Sequence, residues 1–146
     1  MAVRILKIAI MRSLIVFRGD KNAGKTTALR YVLETLLYLG GRLVSYKSYN
    51  KVRGFRGDFE AVIEYNRMLV AVCSMGDVPT AVPKYVKKYG KFCDIIITAT
   101  RNDSSFTNRI ISYKPQYFDK RINANDSPEK QYMDLADLVR RVVASI

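Results

Sequence analysis

An α/β fold with a mostly parallel sheet is predicted by two observations. Short apolar runs alternate with helix-periodic segments along most of the chain, and a glycine-rich string joins the first such run to the first helix. Leu14-Ile15-Val16-Phe17 reads as the first strand. The helix after the string shows Leu29, Val32, Leu33, Leu36 and Leu37 on one face, and the Gly40-Gly41 pair ends it. Residues 43–47 read as a short second strand. From 59 to 65 the pattern alternates, with Phe59, Ala61, Ile63 and Tyr65 opposite Glu60 and Glu64, as in a half-solvated strand. Asn66-Arg67 makes a two-residue turn into the buried run 68–73, forming a hairpin expected beside the loop-bearing strand.

Residues 82–89 read as a helix, with Pro83 in its first turn and Gly90 at its end. Residues 93–98 form the next buried strand, 104–113 a helix stopped by Pro115, and 116–122 a weaker strand. The last helix is capped by Ser127, has Pro128 at its first position, and gathers Tyr132, Leu135, Ala136, Val139, Val142 and Val143 on one face.

The string itself is Gly19-Asp20-Lys21-Asn22-Ala23-Gly24-Lys25-Thr26, which fits G-x-x-x-x-G-K-[ST]. A polyphosphate needs backbone N–H groups aimed inward, and Gly19 and Gly24 let the chain approach phosphate oxygens without a Cβ in the way. The helix that starts there adds its free N–H groups and positive dipole end. Lys25 is expected at the β- and γ-phosphates, the Thr26 hydroxyl at Mg²⁺, and Thr27 near the α-phosphate. An acid is unhelpful beside phosphate, so Asp20 is expected to point away. With the loop between strand and helix, the expected architecture is a three-layer fold of the P-loop NTPase type: a mostly parallel sheet with one antiparallel hairpin strand, as a single domain over 1–146.

Size and charge bound the remainder. The chain has 146 residues, 25 basic and 13 acidic, with no His and a net charge of +12. Such an excess suits polyanion partners: a nucleoside triphosphate first, nucleic acid second, with no membrane role expected. Cys73 and Cys93 have no metal-ligand spacing, and their reading is buried reduced thiols in a cytoplasmic protein. Residues 1–10 are too short and too basic for a signal peptide or membrane span, and they read as an N-terminal extension ahead of an alternative start at Met11.

Ligands of such sheets sit outside the C-terminal strand ends. Ser74-Met75-Gly76-Asp77 follows one buried strand, and Asp77 is the candidate partner of Thr26 at Mg²⁺, partly through water, with Ser74 as the fallback ligand. Thr100-Arg101-Asn102-Asp103 follows another; Arg101 is the candidate cation for charge developing on a transferred phosphoryl group, and Asp103 is expected to cap the next helix. The guanine-reading Asn-Lys-x-Asp pattern is incomplete there, so ATP is favoured over GTP. The basic stretch 47–56, with Tyr46 and Tyr49 in and beside it, suits a phosphorylated substrate or nucleic acid. With no His, a general base falls to Asp77, Glu60, Glu64 or the substrate phosphate.

These motifs together resemble a family of small uncharacterised bacterial P-loop proteins, on the string at 19–27, Asp58-Phe59-Glu60-Ala61-Val62, Ser74-Met75-Gly76-Asp77, and Cys93-Asp94-Ile95-Ile96-Ile97. The resemblance implies the fold and nucleotide binding, and adds no reaction. The expectation is therefore a Mg²⁺-dependent ATP- or GTP-binding protein that hydrolyses or transfers the γ-phosphate, with Lys25, Asp77 and Arg101 as catalytic groups. The alternatives are a small-molecule or nucleotide kinase, a nucleotide-switched nucleic-acid-binding module, and a scaffold that binds without turnover.

Overall fold

The computed structural model describes residues 11–21, 23–49, 57–75, 78–121 and 125–146. Among the described residues six strands form one sheet: β1 (Ser13–Arg18), β2 (Arg42–Ser48), β3 (Phe59–Tyr65), β4 (Met68–Cys73), β5 (Ile95–Thr100) and β6 (Gln116–Asp119). Four helices accompany them among the same residues: α1 (Lys25–Tyr38), α2 (Ala81–Tyr89), the single turn α3 (Ser104–Thr107) and α4 (Pro128–Ala144).

The strand order is β2-β3-β4-β5-β1-β6. β4, β5, β1 and β6 pair in parallel, while β3 runs antiparallel to both of its neighbours. The fold is thus α/β with a six-stranded mixed sheet, mostly parallel, and β3 is the one reversed strand. Its cause is local: Asn66 and Arg67 both take positive φ, 49° and 62°, the backbone of a two-residue hairpin turn whose twist matches the strands. The hairpin does not lie beside β1 as expected, because β5 is inserted between β4 and β1. The 95–97 run is apolar on both sides, which fits the most enclosed position in a parallel sheet.

Both faces are covered. Ile15, Phe17, Phe59, Ala61 and Ile63 point to α1 and α4. Leu14, Val16, Val62, Ala71 and Ile96 point to α2 and to Ile110 just after α3. β3 is therefore not half-solvated: Glu60 is only 4% exposed beneath α2, and only the far end of the strand reaches water. The expected face of α4 is kept in Val139, Val142, Leu135 and Val143, which are buried or pack against the core, but it is shifted towards Leu138 and away from Tyr132. Leu138, Val139 and Val142 are buried, whereas Tyr132 is 64% exposed. The predicted helix at 104–113 is broken into α3 and a 3-10 turn at Ile111–Tyr113, and β6 stops at Asp119.

β2 forms one edge of the sheet, and all seven of its residues are exposed. The Cys73 and Cys93 thiols are free and buried, as expected. No helix among the described residues is long and apolar enough to cross a membrane.

Candidate nucleotide site at the strand ends

Five strands end, and the reversed β3 begins, along the same edge of the sheet. That edge carries the 19–27 loop, Asp58, Ser74, the residues after Thr100, and Asp119-Lys120.

The loop leaves β1 with the Gly19 N–H donating to the Thr100 carbonyl at 3.2 Å. A Cβ on Gly19 would collide with the Lys120 backbone carbonyl, so only glycine fits between the two strand ends. Gly24 closes the loop in the left-handed region, φ 82° and ψ 24°, and stands at the N-cap of α1. It has no side chain, so α1 starts without a side-chain cap at the end of the loop.

Lys25 is 5% exposed and folds back over the loop, where Nζ donates to the Gly19 carbonyl at 3.0 Å and the Asp20 carbonyl at 2.6 Å. The buried ammonium is thus held at the loop's rim by backbone oxygens. Asp20 Oδ1 accepts from the Asn102 amide at 2.9 Å. Ala23 is buried, Lys21 and Thr27 are exposed, and Asn22 lies outside the described residues.

Thr26 meets Asp58, an acid not among the expected site residues. Its Oγ1 donates to Asp58 Oδ1 at 3.2 Å, and Ser74 Oγ donates to the same oxygen at 2.9 Å. Ser74 is 2% exposed and also accepts from the Phe59 N–H at 2.8 Å. Arg30 of α1 holds this junction from below, donating to the Gly57 carbonyl at 2.7 Å with its guanidinium 5.1 Å from the Phe59 ring centre. Both side-chain bonds to Asp58 land on Oδ1, and Oδ2 takes none among the described residues. Asp77, the candidate acid from the sequence, lies outside the described residues, as do 50–56 of the basic stretch.

Asp58 was readable as a shared motif position but not as a site residue. The signal was present: a two-residue turn makes β3 antiparallel to β4, so the residue before β3 must sit beside the end of β4.

On the other side of the loop, a cavity of about 700 Å³ is bordered by Arg18, Asp20, Asn102, Asp119, Lys120 and Arg121. Arg18 Nε pairs with Asp119 Oδ1 at 2.9 Å, and its guanidinium lies 4.4 Å from the Tyr117 ring centre. The Lys120 side chain passes close to Gly24, and partial burial pulls its pKa below 10.5. Lys120 was absent from the sequence reading because nothing in its local pattern marks it. Arg101 instead places its guanidinium 5.3 Å from the Phe106 ring centre, and its neighbour Asn102 reaches the loop. Asp103 sits at the N-cap of α3, but its carboxylate makes no cap bond; its backbone carbonyl takes the Phe106 and Thr107 N–H groups. Glu64 pairs with Arg42 at the opposite end of β3, far from the loop along the strand.

The fit of a phosphate chain and a Mg²⁺ ion can be judged from these contacts. The loop is bounded by Gly19, packed against the Lys120 carbonyl, and by Gly24 at positive φ, with an ammonium at its rim and a helix N-terminus at its end. Mg²⁺ characteristically takes one or two carboxylates, hydroxyls, phosphate oxygens and water, and Thr26 with Asp58 is such a donor set. Among the described residues no group of three or more acidic or Cys side chains could hold a metal by itself. No family model, no curated protein and no solved structure matches the chain.

Proposed function

We propose that the chain is a Mg²⁺-dependent nucleoside triphosphate-binding protein of the P-loop class, with ATP or GTP as ligand and hydrolysis or transfer of the γ-phosphate as its chemistry. The observation that carries the reading is the convergence of Lys25, Thr26 and Asp58 on one glycine-bounded loop.

In this reading the phosphates lie along the loop, on the N–H groups between Gly19 and Thr26 and on the start of α1. Lys25 exchanges its two backbone oxygens for β- and γ-phosphate oxygens, a stronger charge-assisted pairing. Lys120 adds a second positive charge over Gly24. The nucleoside takes the cavity bordered by Arg18, Asn102 and Asp119, whose volume suits it. Thr26 and Asp58 would hold Mg²⁺, which supplies charge neutralisation across the phosphates when bound. Ser74 fixes Asp58 by bonding its Oδ1. Arg101 remains the candidate for charge on the transferred group. The resemblance to small bacterial P-loop proteins supports the same class.

A calorimetric titration with a non-hydrolysable ATP analogue and a matched GTP analogue, each with Mg²⁺, tests this. Saturable binding that Lys25→Ala abolishes is the expected result. Absence of binding by both analogues rejects it.

A further inference from the structure

A second cavity, of about 300 Å³, lies on the α2 side of the sheet. Tyr49, Glu60, Met75, Thr80, Lys84 and Tyr85 border it. It adjoins the candidate site through the chain itself: Met75 follows Ser74, and Glu60 stands two residues after Asp58.

Two groups in its wall are unusual. Tyr85 is 5% exposed, and its Oη has no hydrogen-bond partner among the described residues. The Met75 backbone N–H is turned towards that oxygen, so what is missing is an acceptor for the phenol's own proton. Buried hydroxyls nearly always find one, so the Tyr85 phenol, in a residue that borders this cavity, is a buried donor without its acceptor among the described residues. Glu60 is the second. It is 4% exposed, and Oε1 takes both the Tyr89 O–H and the Lys88 ammonium, the latter at 3.0 Å. Oε2 takes nothing among the described residues. A donor and an acceptor thus share a pocket whose wall combines the apolar Met75, Val78 and Ala81 with Tyr49, Thr80, Lys84 and Lys88. Such a wall suits a small ring compound held by its hydroxyl groups.

We propose that this cavity binds the phosphoryl acceptor, a small hydroxyl-bearing ring compound of monosaccharide or nucleoside size, with Tyr85 Oη donating to it and Glu60 Oε2 accepting from its reacting hydroxyl. The proposal rests on the nucleotide reading above and deepens it to a phosphotransferase. The acceptor oxygen forms a bond to the γ-phosphorus while the bond from that phosphorus to the β,γ-bridging oxygen breaks. The nucleoside diphosphate leaves with that electron pair. The hydroxyl proton passes to Glu60 and from there to water.

The test begins without nucleotide. The full chain is screened by saturation-transfer NMR against ribose, glucose, uridine, cytidine and benzyl alcohol. Tyr85→Phe removes the orphan donor together with the oxygen that the Met75 N–H faces, so its folding is checked by circular dichroism, and the folded variant should bind about tenfold more weakly. Thr80→Trp, from an exposed position on the cavity rim, should abolish binding. Both variants should bind the ATP analogue as the parent does. With ATP and Mg²⁺ added, ³¹P NMR should show a new phosphomonoester and an equal amount of ADP. Glu60→Gln should slow that transfer by about a hundredfold or more while still binding the compound. No binding by any compound, or binding that neither variant alters, overturns the cavity assignment. Binding without transfer, in protein that binds the analogue, overturns the acceptor role. Compound binding in protein that fails to bind the analogue rejects the nucleotide reading and the acceptor role with it, leaving the cavity as a small-molecule site.

Discussion

Thr26 and Asp58 stand 32 positions apart in the chain, yet the Thr26 hydroxyl donates to the Asp58 carboxylate at 3.2 Å. One residue lies in the first turn of α1 and the other precedes β3, so the contact exists only because β3 is reversed. In an all-parallel sheet, the start of β3 would lie at the opposite edge. The reversal delivers a carboxylate to the loop between Gly19 and α1 without requiring one at the end of β4.

Asp58→Asn should therefore separate metal binding from phosphate binding. The amide oxygen can still accept from Thr26 and Ser74, so the local fold should persist. Loss of the charge should weaken the Mg²⁺-dependent part of nucleotide affinity by about 10–100-fold. Binding measured without Mg²⁺ should hold or tighten, because one negative charge near the phosphates is gone. Paired calorimetric titrations with and without Mg²⁺ check this, and an unchanged metal dependence counts against Asp58.

Gly19→Ala addresses the cradle. The new methyl would meet the Lys120 carbonyl, a backbone atom that can yield only by moving β6 or the loop. The expected cost is about 1–3 kcal/mol of stability, with analogue binding lost even under conditions where the protein remains folded. Thermal unfolding and the same titration report the two effects separately.

The loop, the strand–helix alternation and the single reversed strand were readable because each has a local signature: a spaced motif, a period and a two-residue turn. The order of strands was not, since β5 enters between β4 and β1 through pairings that leave no local trace. Glu60 illustrates the same limit. Alternation put it on a solvated face, but Tyr89 and Lys88, 29 and 28 residues further on, roof it over. Leu138 of α4 was missed because the α4 pattern fits two adjacent faces, and only packing against the sheet chooses between them.

Arg30 should matter without touching the ligand. It joins α1 to the turn before Asp58 by a hydrogen bond to the Gly57 carbonyl and by its place over Phe59. Arg30→Ala should cost about 1–2 kcal/mol in urea unfolding and should lower Mg²⁺-dependent affinity through Asp58. In a double-mutant cycle with Asp58→Asn, the two effects on affinity should be strongly non-additive. Simple additivity means that Arg30 does not position Asp58.

Alkaline pH should unfold this protein through four buried acids. Burial raises the pKa of Cys73 well above 9.0, pushes Cys93 up to about 12, and raises Tyr85 and Tyr89 above 10.0. Each group stays protonated in the folded chain while its unfolded counterpart ionises, so the unfolded state binds fewer protons and stability falls as pH rises. The contribution of Cys93 is fully present below pH 9.0 and is lost progressively towards about 12, with the tyrosines joining above 10.0. Each group adds a slope of up to about 1.4 kcal/mol per pH unit once its unfolded form titrates. Lys120, whose pKa burial lowers below 10.5, works in the opposite sense over a narrower window, because its unfolded form binds more protons there. Tyr117, whose pKa partial burial also raises above 10.0, adds to the four buried acids, and together they outweigh Lys120 and leave a net loss. Urea unfolding at a series of pH values should show stability level near neutrality and falling beyond 9.0, and Cys93→Ala should reduce the initial slope. A stability that holds flat through this range would mean that the thiols and phenols are hydrated in the folded chain.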